Sequence, residues 1–350
     1  MNLAAMNDRS TPARPVLSGS DQSFMEFLSQ KWIELCFGMG FKESEIWESV
    51  AELRQLIQPW ADTPIGRKCR YRSYVAADGF PAEFSMSWRG RKPEVRILFE
   101  SLGADFTARG AQDAGRALTR KLAGKPGVHI DWYRSIEDLF VTDNPLLGSP
   151  TIWHSLAARP AEPSRFKVYL NPKAHGAEHA AEVVGEALAR IGMRKAWRPV
   201  AQRQDELAAK GHEIEFFALD LASPRSARAK VYFRHGPVTV DQLDTVASLA
   251  REHDSARAKE AYRAVYGGQP LIENEPLTCL SFRTGSTGPE QANVYLRLRP
   301  EPVEAILRAE SARSADVDLG RRELLSFRTV GPNRPADVGL YLRFPHYDEQ

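Results

Sequence analysis

Long apolar runs are missing from this 350-residue chain. None reaches the roughly 18 residues that a membrane-spanning helix needs, and the N-terminus lacks the apolar stretch of a secretory signal. Cysteine is scarce as well. Cys36, Cys69 and Cys279 lie far apart and form no C-x-x-C, which argues against a disulfide framework or a structural zinc site and fits a reducing, cytoplasmic compartment. Charge of one sign is not in excess: the formal net charge is +2, so bulk electrostatics does not point to nucleic acid. No G-x-x-x-x-G-K-[ST] occurs, and Gly38-x-Gly40 has neither a third glycine nor a preceding strand, so nucleotide-binding fingerprints are absent. His175 to His179 matches H-x-x-E-H, but it follows N-P-K at a strand end, carries Gly176 inside the turn and has no third ligand after it. No metal is expected there.

What the chain does have is a repeat. Ser226 to His235 reads S-A-R-A-K-V-Y-F-R-H. Alternate residues of a strand share a face, so Arg228, Lys230, Tyr232 and Arg234 project one way and Ala229, Val231 and Phe233 the other. Arg165 to Tyr169 is again R-x-K-x-Y, and Tyr169, Tyr232 and Tyr295 are spaced evenly by 63 residues. A further copy ends at Tyr341, in Val338 to Arg343. Each copy is the second strand of an expected hairpin: Thr151 to Ala157 with Ser164 to Asn171, Glu213 to Leu221 with Ala227 to His235, Leu277 to Thr284 with Ala292 to Leu298, and Leu324 to Val330 with Val338 to Phe344. A first hairpin runs from Pro81 to Trp88 and Glu94 to Glu100, with Glu83, Ser85 and Ser87 on one face and Phe84, Met86 and Trp88 on the other.

Helical spacing of apolar residues marks the segments between the hairpins: Asp21 to Phe37, Glu43 to Trp60, Ala111 to Ala123, Ser135 to Phe140, Glu178 to Ile191, Val240 to Val265 and Pro302 to Arg313. Arg70 to Tyr74 reads equally as a short strand or a turn. Residues 1–20 read as a disordered lead-in, and 21–350 as one domain.

Five hairpins with one apolar and one polar face suggest an α+β fold in which about ten antiparallel strands close into a barrel inside a layer of helices. The apolar face then meets the helices and the polar face points inward. So many charges cannot sit unpaired in a dry core, so the lumen is expected to be solvated or to hold an anion. Arg96, Lys167, Arg228 and Lys230 converge there, and phosphate or diphosphate is the usual partner of such a cluster. Tyr169, Tyr232, Tyr295 and Tyr341 form a ring of aromatic faces that would exclude water and stabilise a carbocation. Glu83 is a carboxylate able to accept a proton.

The order F-P-A-E-F-S, V-R-I-L-F-E, K-V-Y, R-A-K-V-Y, N-V-Y and L-Y-L resembles the aromatic prenyltransferases of the dimethylallyltryptophan synthase type, from about residue 25 onward. The resemblance implies five α-β-β-α repeats forming a ten-stranded PT barrel. It implies an enzyme that moves a dimethylallyl group from its diphosphate to an indole carbon of tryptophan or a tryptophan-derived metabolite by Friedel-Crafts alkylation. It assigns Arg96, Lys167, Arg228 and Lys230 to the diphosphate, with Arg328 and Arg283 as further candidates, and the four tyrosines to a shield. Glu83 matches the glutamate that accepts the indole N–H. Asn293 stands where many relatives have Gln, and His154 near a lysine that takes the ring proton in C4-prenylating relatives. His154 is therefore a candidate base, set against the simpler reading of a strand histidine bonded to a neighbour. D-D-x-x-D, by which isoprenoid synthases hold diphosphate through magnesium, is absent, so neither metal nor cofactor is expected. The implied partners are the prenyl diphosphate and an indole, without nucleic acid or membrane, for a monomer or homodimer. Other readings are the same barrel acting on a phenol, naphthol or phenazine, and a non-enzymatic barrel that binds RNA or another anion.

Overall fold

The computed structural model describes residues 21–89, 92–146, 149–298, 321–329 and 335–347. Ten strands, each antiparallel to its neighbours, close into a barrel. In chain order they are β1 (Ala82–Arg89), β2 (Lys92–Glu100), β3 (Trp153–Arg159), β4 (Glu162–Leu170), β5 (His212–Asp220), β6 (Ala229–His235), β7 (Leu277–Phe282), β8 (Gln291–Arg297), β9 (Arg321–Arg328) and β10 (Asp337–Arg343). Each strand pairs with the next, and β1 closes the ring on β10 with Ser85 opposite Tyr341. Closure removes every sheet edge.

The two faces of the strands enter two separate apolar clusters. Phe84, Ile97, Phe99, Leu156, Val168, Phe217, Val231, Phe233, Leu280 and Leu342 point outward into a core shared with Leu28, Trp32, Ile46 and Leu53 of the helix layer. Trp153, Tyr169, Ala218, Tyr232, Cys279 and Tyr295 form the other cluster, inside the barrel. The helices are α1 (Phe24–Gly38), α2 (Glu43–Ile57), α3 (Ala108–Leu122), α4 (Asp131–Ile136), α5 (Ala180–Arg190), α6 (Arg194–Ala201), α7 (Gln204–Ala209), α8 (Val240–Ala247) and α9 (Ser255–Tyr266). Sequence sets their ends. Ser23 and Glu26 form a capping box on α1, with Ser23 N–H donating to Glu26 Oε2 at 2.8 Å. Thr107 Oγ1 accepts from Gly110 N–H at 2.9 Å at the start of α3.

Three expectations change. The helix expected over Val240 to Val265 is two helices, because Asp254 caps the start of α9 by accepting from Arg257 N–H at 3.2 Å. His253 Nε2, in the break, bonds Asp244 Oδ1 at 2.7 Å and ties the two helices together. The helix expected from Ser135 to Phe140 starts earlier, at Asp131, and tightens to a 3-10 turn over Glu137–Leu139. α6 and α7 were not foreseen. The expected helix at Pro302 to Arg313 and the lead-in at 1–20 lie outside the described residues. No helix among the described residues is long and apolar enough to cross a membrane.

Candidate active site

The repeat seen in the sequence becomes the wall of the lumen. Strand pairing places Ser85 beside Arg96, Ser155 beside Lys167, Lys167 beside Asp220, Ala218 beside Lys230, and Asp337 beside Arg328. All of these side chains face inward, toward one end. Glu83, Trp153, Phe216, Arg234, Leu277, Arg297 and Arg343 mark the other end. A cavity of about 520 Å³, its mouth included, opens between Ser85, Ser87, Arg96, Lys230, Ser281, Asn293, Tyr295, Ser326, Arg328 and Tyr341. Gly339 keeps that wall thin: a Cβ there would lie 2.6 Å from Ser326 Oγ and 3.3 Å from Ser87 Cβ.

The cationic end is partly neutralised, which the sequence reading missed. Each of its three arginines is paired with a carboxylate. Arg96 pairs with Glu94, which also accepts from Arg159 Nε at 2.8 Å. Arg228 Nε donates to Asp220 Oδ2 at 2.7 Å. Arg328 pairs with Asp337 and donates to Gln291 Oε1 at 2.7 Å. Burial works against a charged Asp220, yet Lys167, Arg228 and Lys230 hold its carboxyl well below the usual range. Lys167 is pushed the other way, its ammonium disfavoured by burial and by Lys230 and Arg96. Some donors are left over. Lys167 Nζ and Arg96 Nε are buried without a hydrogen-bond partner among the described residues. Buried donors of this kind cost free energy unless something accepts from them. The strand phase alone could have found Glu94, two residues from Arg96. Asp220 and Asp337 needed the cross-strand register.

Above the cations lies the ring. Ring centroids of Tyr169 and Tyr232 are 6.0 Å apart, those of Tyr232 and Tyr295 5.9 Å, and those of Tyr295 and Tyr341 5.5 Å. The four tyrosines sit on β4, β6, β8 and β10, one per repeat in the same phase. The equivalent strand of the first hairpin, β2, supplies Leu98 to this cluster. Cys279 lies among the rings and Asn293 faces it across the β7–β8 pair.

At the far end Glu83 is inward, as its phase requires. Burial and then Glu323 push its carboxyl well above the usual range, against the pull of Arg297 and Arg343. Trp153 and Phe216 face each other with ring centroids 4.9 Å apart. The segment 66–80 has no regular structure and covers this mouth. It is moored to Glu100, which is fully buried and accepts from Tyr71 Oη at 3.2 Å, Ser73 Oγ at 2.5 Å and Thr151 Oγ1. Tyr71, Ser73, Tyr74, Trp153 and Phe216 were not foreseen; nothing in an irregular stretch signals what it covers.

One expected residue is not in the lumen. His154 pairs with Phe99 and Val168 on the outer face of β3, while Trp153 and Ser155 point in. Its Nε2 lies 2.8 Å from Thr119 Oγ1 of α3. Burial drops its pKa to about 3. A base for a lumen reaction cannot sit there. His154 is instead a strand histidine tied to its neighbour, and it fastens the helix layer to the barrel. Arg283 lies at the rim, donating to Ser226 O at 2.8 Å. Among the described residues no group of three or more His, Cys, Asp or Glu side chains is placed to hold a metal ion.

Known proteins share this architecture. A 6-dimethylallyl tryptophan synthase of solved structure superposes with a TM-score of 0.83 at 26% identity, over 94% of this chain and 98% of its own. The 6-dimethylallyltryptophan synthase from Micromonospora olivasterospora, solved in complex with DMASPP and Trp, gives 0.82 at 27% identity, over 94% and 99%. The 5-dimethylallyl tryptophan synthase from Streptomyces coelicolor gives 0.78 at 24% identity, over 94% and 97%, a likeness of fold. The sequence model of the tryptophan dimethylallyltransferase family matches residues 54–265, more than half of the chain. With the ten-stranded barrel and its helix layer, that match makes the chain a prenyltransferase belonging to the tryptophan dimethylallyltransferase family.

Proposed function

We propose that this chain transfers a dimethylallyl group from dimethylallyl diphosphate to a ring carbon of tryptophan or a tryptophan-derived indole. The observation that carries the reading is the layering of the lumen: buried, unsatisfied cationic donors at one end, and directly above them a ring of four tyrosines. Arg96, Lys167, Arg228, Lys230 and Arg328 would hold the diphosphate and neutralise it as the C–O bond breaks. The bonding pair leaves with the diphosphate. The allyl cation forms under Tyr169, Tyr232, Tyr295 and Tyr341, whose faces stabilise it and keep water away.

Glu83, facing the acceptor end, would accept the indole N–H and so enrich the ring carbon that attacks. Asn293, on the wall beside Tyr295, would help orient the acceptor. The ring proton lost on re-aromatisation needs a lumen acceptor, since His154 lies outside. Glu83 fits that task, because a carboxyl held above its usual range is a stronger base than an ordinary one. Five side-chain cations would supply what magnesium supplies elsewhere, and the carboxylates of Glu94, Asp220 and Asp337 are each already paired with an arginine. The transfer is therefore expected to proceed without metal.

The test is incubation of the protein with dimethylallyl diphosphate, L-tryptophan and EDTA, read by mass spectrometry. A product heavier by one prenyl unit supports the reading, and its NMR spectrum names the carbon. Absence of product with tryptophan and with other indoles would overturn it. Transfer to a naphthol but no indole would favour the phenolic reading.

A further inference from the structure

The geometry points to Tyr74 as the residue that shuts the acceptor mouth, limiting acceptor size and denying water to the allyl cation; this rests on the prenyl-transfer reading above. Tyr74 belongs to the irregular segment 66–80, yet it packs over the inward aromatic side chains of β3 and β5 at the mouth. Its ring stacks on Trp153 of β3, with centroids 6.3 Å apart and planes at 27°, and meets Phe216 of β5 edge-on at 6.4 Å. Its Oη donates to Glu215 Oε1 at 3.1 Å.

Glu215 is aimed at the mouth by an irregularity. The β5–β6 register shifts between Ile214 and Phe216, and a bulge of this kind turns an extra side chain toward the same face. Lys173 Nζ at 2.5 Å and Arg234 Nε at 3.4 Å both donate to Glu215 Oε2, leaving Oε1 to Tyr74. The post that receives Tyr74 is therefore rigid. The near side is moored too, since Tyr71 and Ser73, on either side of Arg72, both bond the buried Glu100. Between these two anchors Tyr74 remains 46% exposed while its ring lies on the aromatic slot. A side chain held at its tip by one hydrogen bond to a carboxylate, above a water-sensitive intermediate, is placed to govern access.

Opening the mouth adds a side reaction whose atoms balance simply. The C–O bond to diphosphate breaks with the electron pair leaving on diphosphate, water adds to the allyl carbon, and a proton is released to solvent. The products are dimethylallyl alcohol and diphosphate. Tyr74→Phe removes the tip bond but keeps the ring, and Tyr74→Ala removes both. A hydrogen bond to a charged group is strong enough to shift closure by about tenfold, so the ratio of alcohol to prenylated tryptophan should rise by about that factor in the Phe variant and further in the Ala variant. The Ala variant should also accept bulkier indoles, such as a tryptophan-containing cyclic dipeptide.

A second readout does not depend on activity. Cys279 is buried among the lumen tyrosines and Cys36 in the helix layer. Opening should speed modification of Cys279 by a maleimide, mapped by peptide mass, while Cys36 stays protected as a control for unfolding. An unchanged product ratio and unchanged Cys279 reactivity in Tyr74→Ala would overturn the inference. If the wild-type protein moves no prenyl group at all, the enzymatic reading is what fails, and the thiol experiment decides the closure by itself.

Discussion

Asp220 serves two cations at once: Arg228 Nε donates to its Oδ2 at 2.7 Å while Lys167 Nζ stands 3.6 Å from its Oδ1. Both cations are buried in the lumen wall. Removing the shared anion leaves them facing each other with nothing between. Asp220→Asn is therefore expected to lower the thermal midpoint of the ligand-free protein, by a loss of about 3 kcal/mol for a broken buried pair. Inorganic diphosphate should restore more of the midpoint in the variant than it adds in the wild type. Thermal unfolding with and without diphosphate checks this; equal increments in the two proteins would count against Asp220 as the organiser of the anion site.

Tyr232 sits mid-ring, within 6.0 Å of Tyr169 and 5.9 Å of Tyr295. In the proposed reaction its contribution to the cation would come from the aromatic face rather than the hydroxyl. Tyr232→Phe should keep transfer within a few-fold of wild type, whereas Tyr232→Leu should lose about 3- to 30-fold, the range of a desolvated cation–π contact. Single-turnover rates with dimethylallyl diphosphate decide it. Equal losses in both variants would place the hydroxyl, not the face, in the mechanism.

Glu83 is held above the ordinary carboxyl range by burial and by Glu323. In the proposed reaction its ionised form would accept the N–H, so the transfer rate should climb as pH rises through its elevated pKa, and Glu83→Gln should flatten that limb. Stability runs the opposite way. A carboxyl whose folded pKa is raised contributes stability that is complete below the unfolded value and lost as pH rises through the folded one. Glu83→Gln should therefore unfold at a higher temperature than wild type at alkaline pH while turning over less. A pH–rate profile with parallel melting curves tests both signs.

The histidines outside the lumen give an acid limb. His154 falls to about 3, His212 to about 4 and His235 to about 3, in each case first through burial. His212 and His235 bond to each other through their Nδ1 atoms at 2.8 Å, and His235 Nε2 reaches Thr278 Oγ1 at 2.8 Å. Neutral rings are needed in all three. Because the folded pKa values are depressed, these groups contribute stability present above about pH 6.5 and lost as pH falls toward the folded values. The melting temperature should drop across that window, and less steeply in His235→Gln. His154→Gln should leave the turnover rate within about twofold, since an outward ring does not touch the reacting atoms.

Much of this was written in the strands. The even spacing of Tyr169, Tyr232 and Tyr295 and the alternation in R-A-K-V-Y-F-R-H were enough to imply hairpins, a barrel and a polar interior. Phase failed where the lumen itself is aromatic. His154 was put in the lumen by its likeness to a lysine position of C4-prenylating relatives, and in Trp153-His154-Ser155-Leu156 the bulky apolar residue faces inward, so hydrophobicity did not correct it. Pairings between distant strands, such as Lys167 with Asp220, leave no local trace. The break between α8 and α9 was hidden because Ser248 to Asp254 lies between two stretches of helical spacing that run nearly in register. The irregular segment carrying Tyr74 has no periodicity from which a role could be drawn.

The pairing of Ser85 with Tyr341 joins the first strand to the last. Tyr341, the last member of the ring, and Glu83 thus belong to opposite ends of a sheet that becomes a sheet without edges only when β10 arrives. Until then the nine earlier strands expose a cationic trough and two bare margins, open to solvent and to other chains. Enclosure of the lumen therefore waits on the pairing of β10 with β1 and β9. Without residues 337–343 the lumen would stay open to water, and the allyl cation of the proposed reaction would have no shelter there.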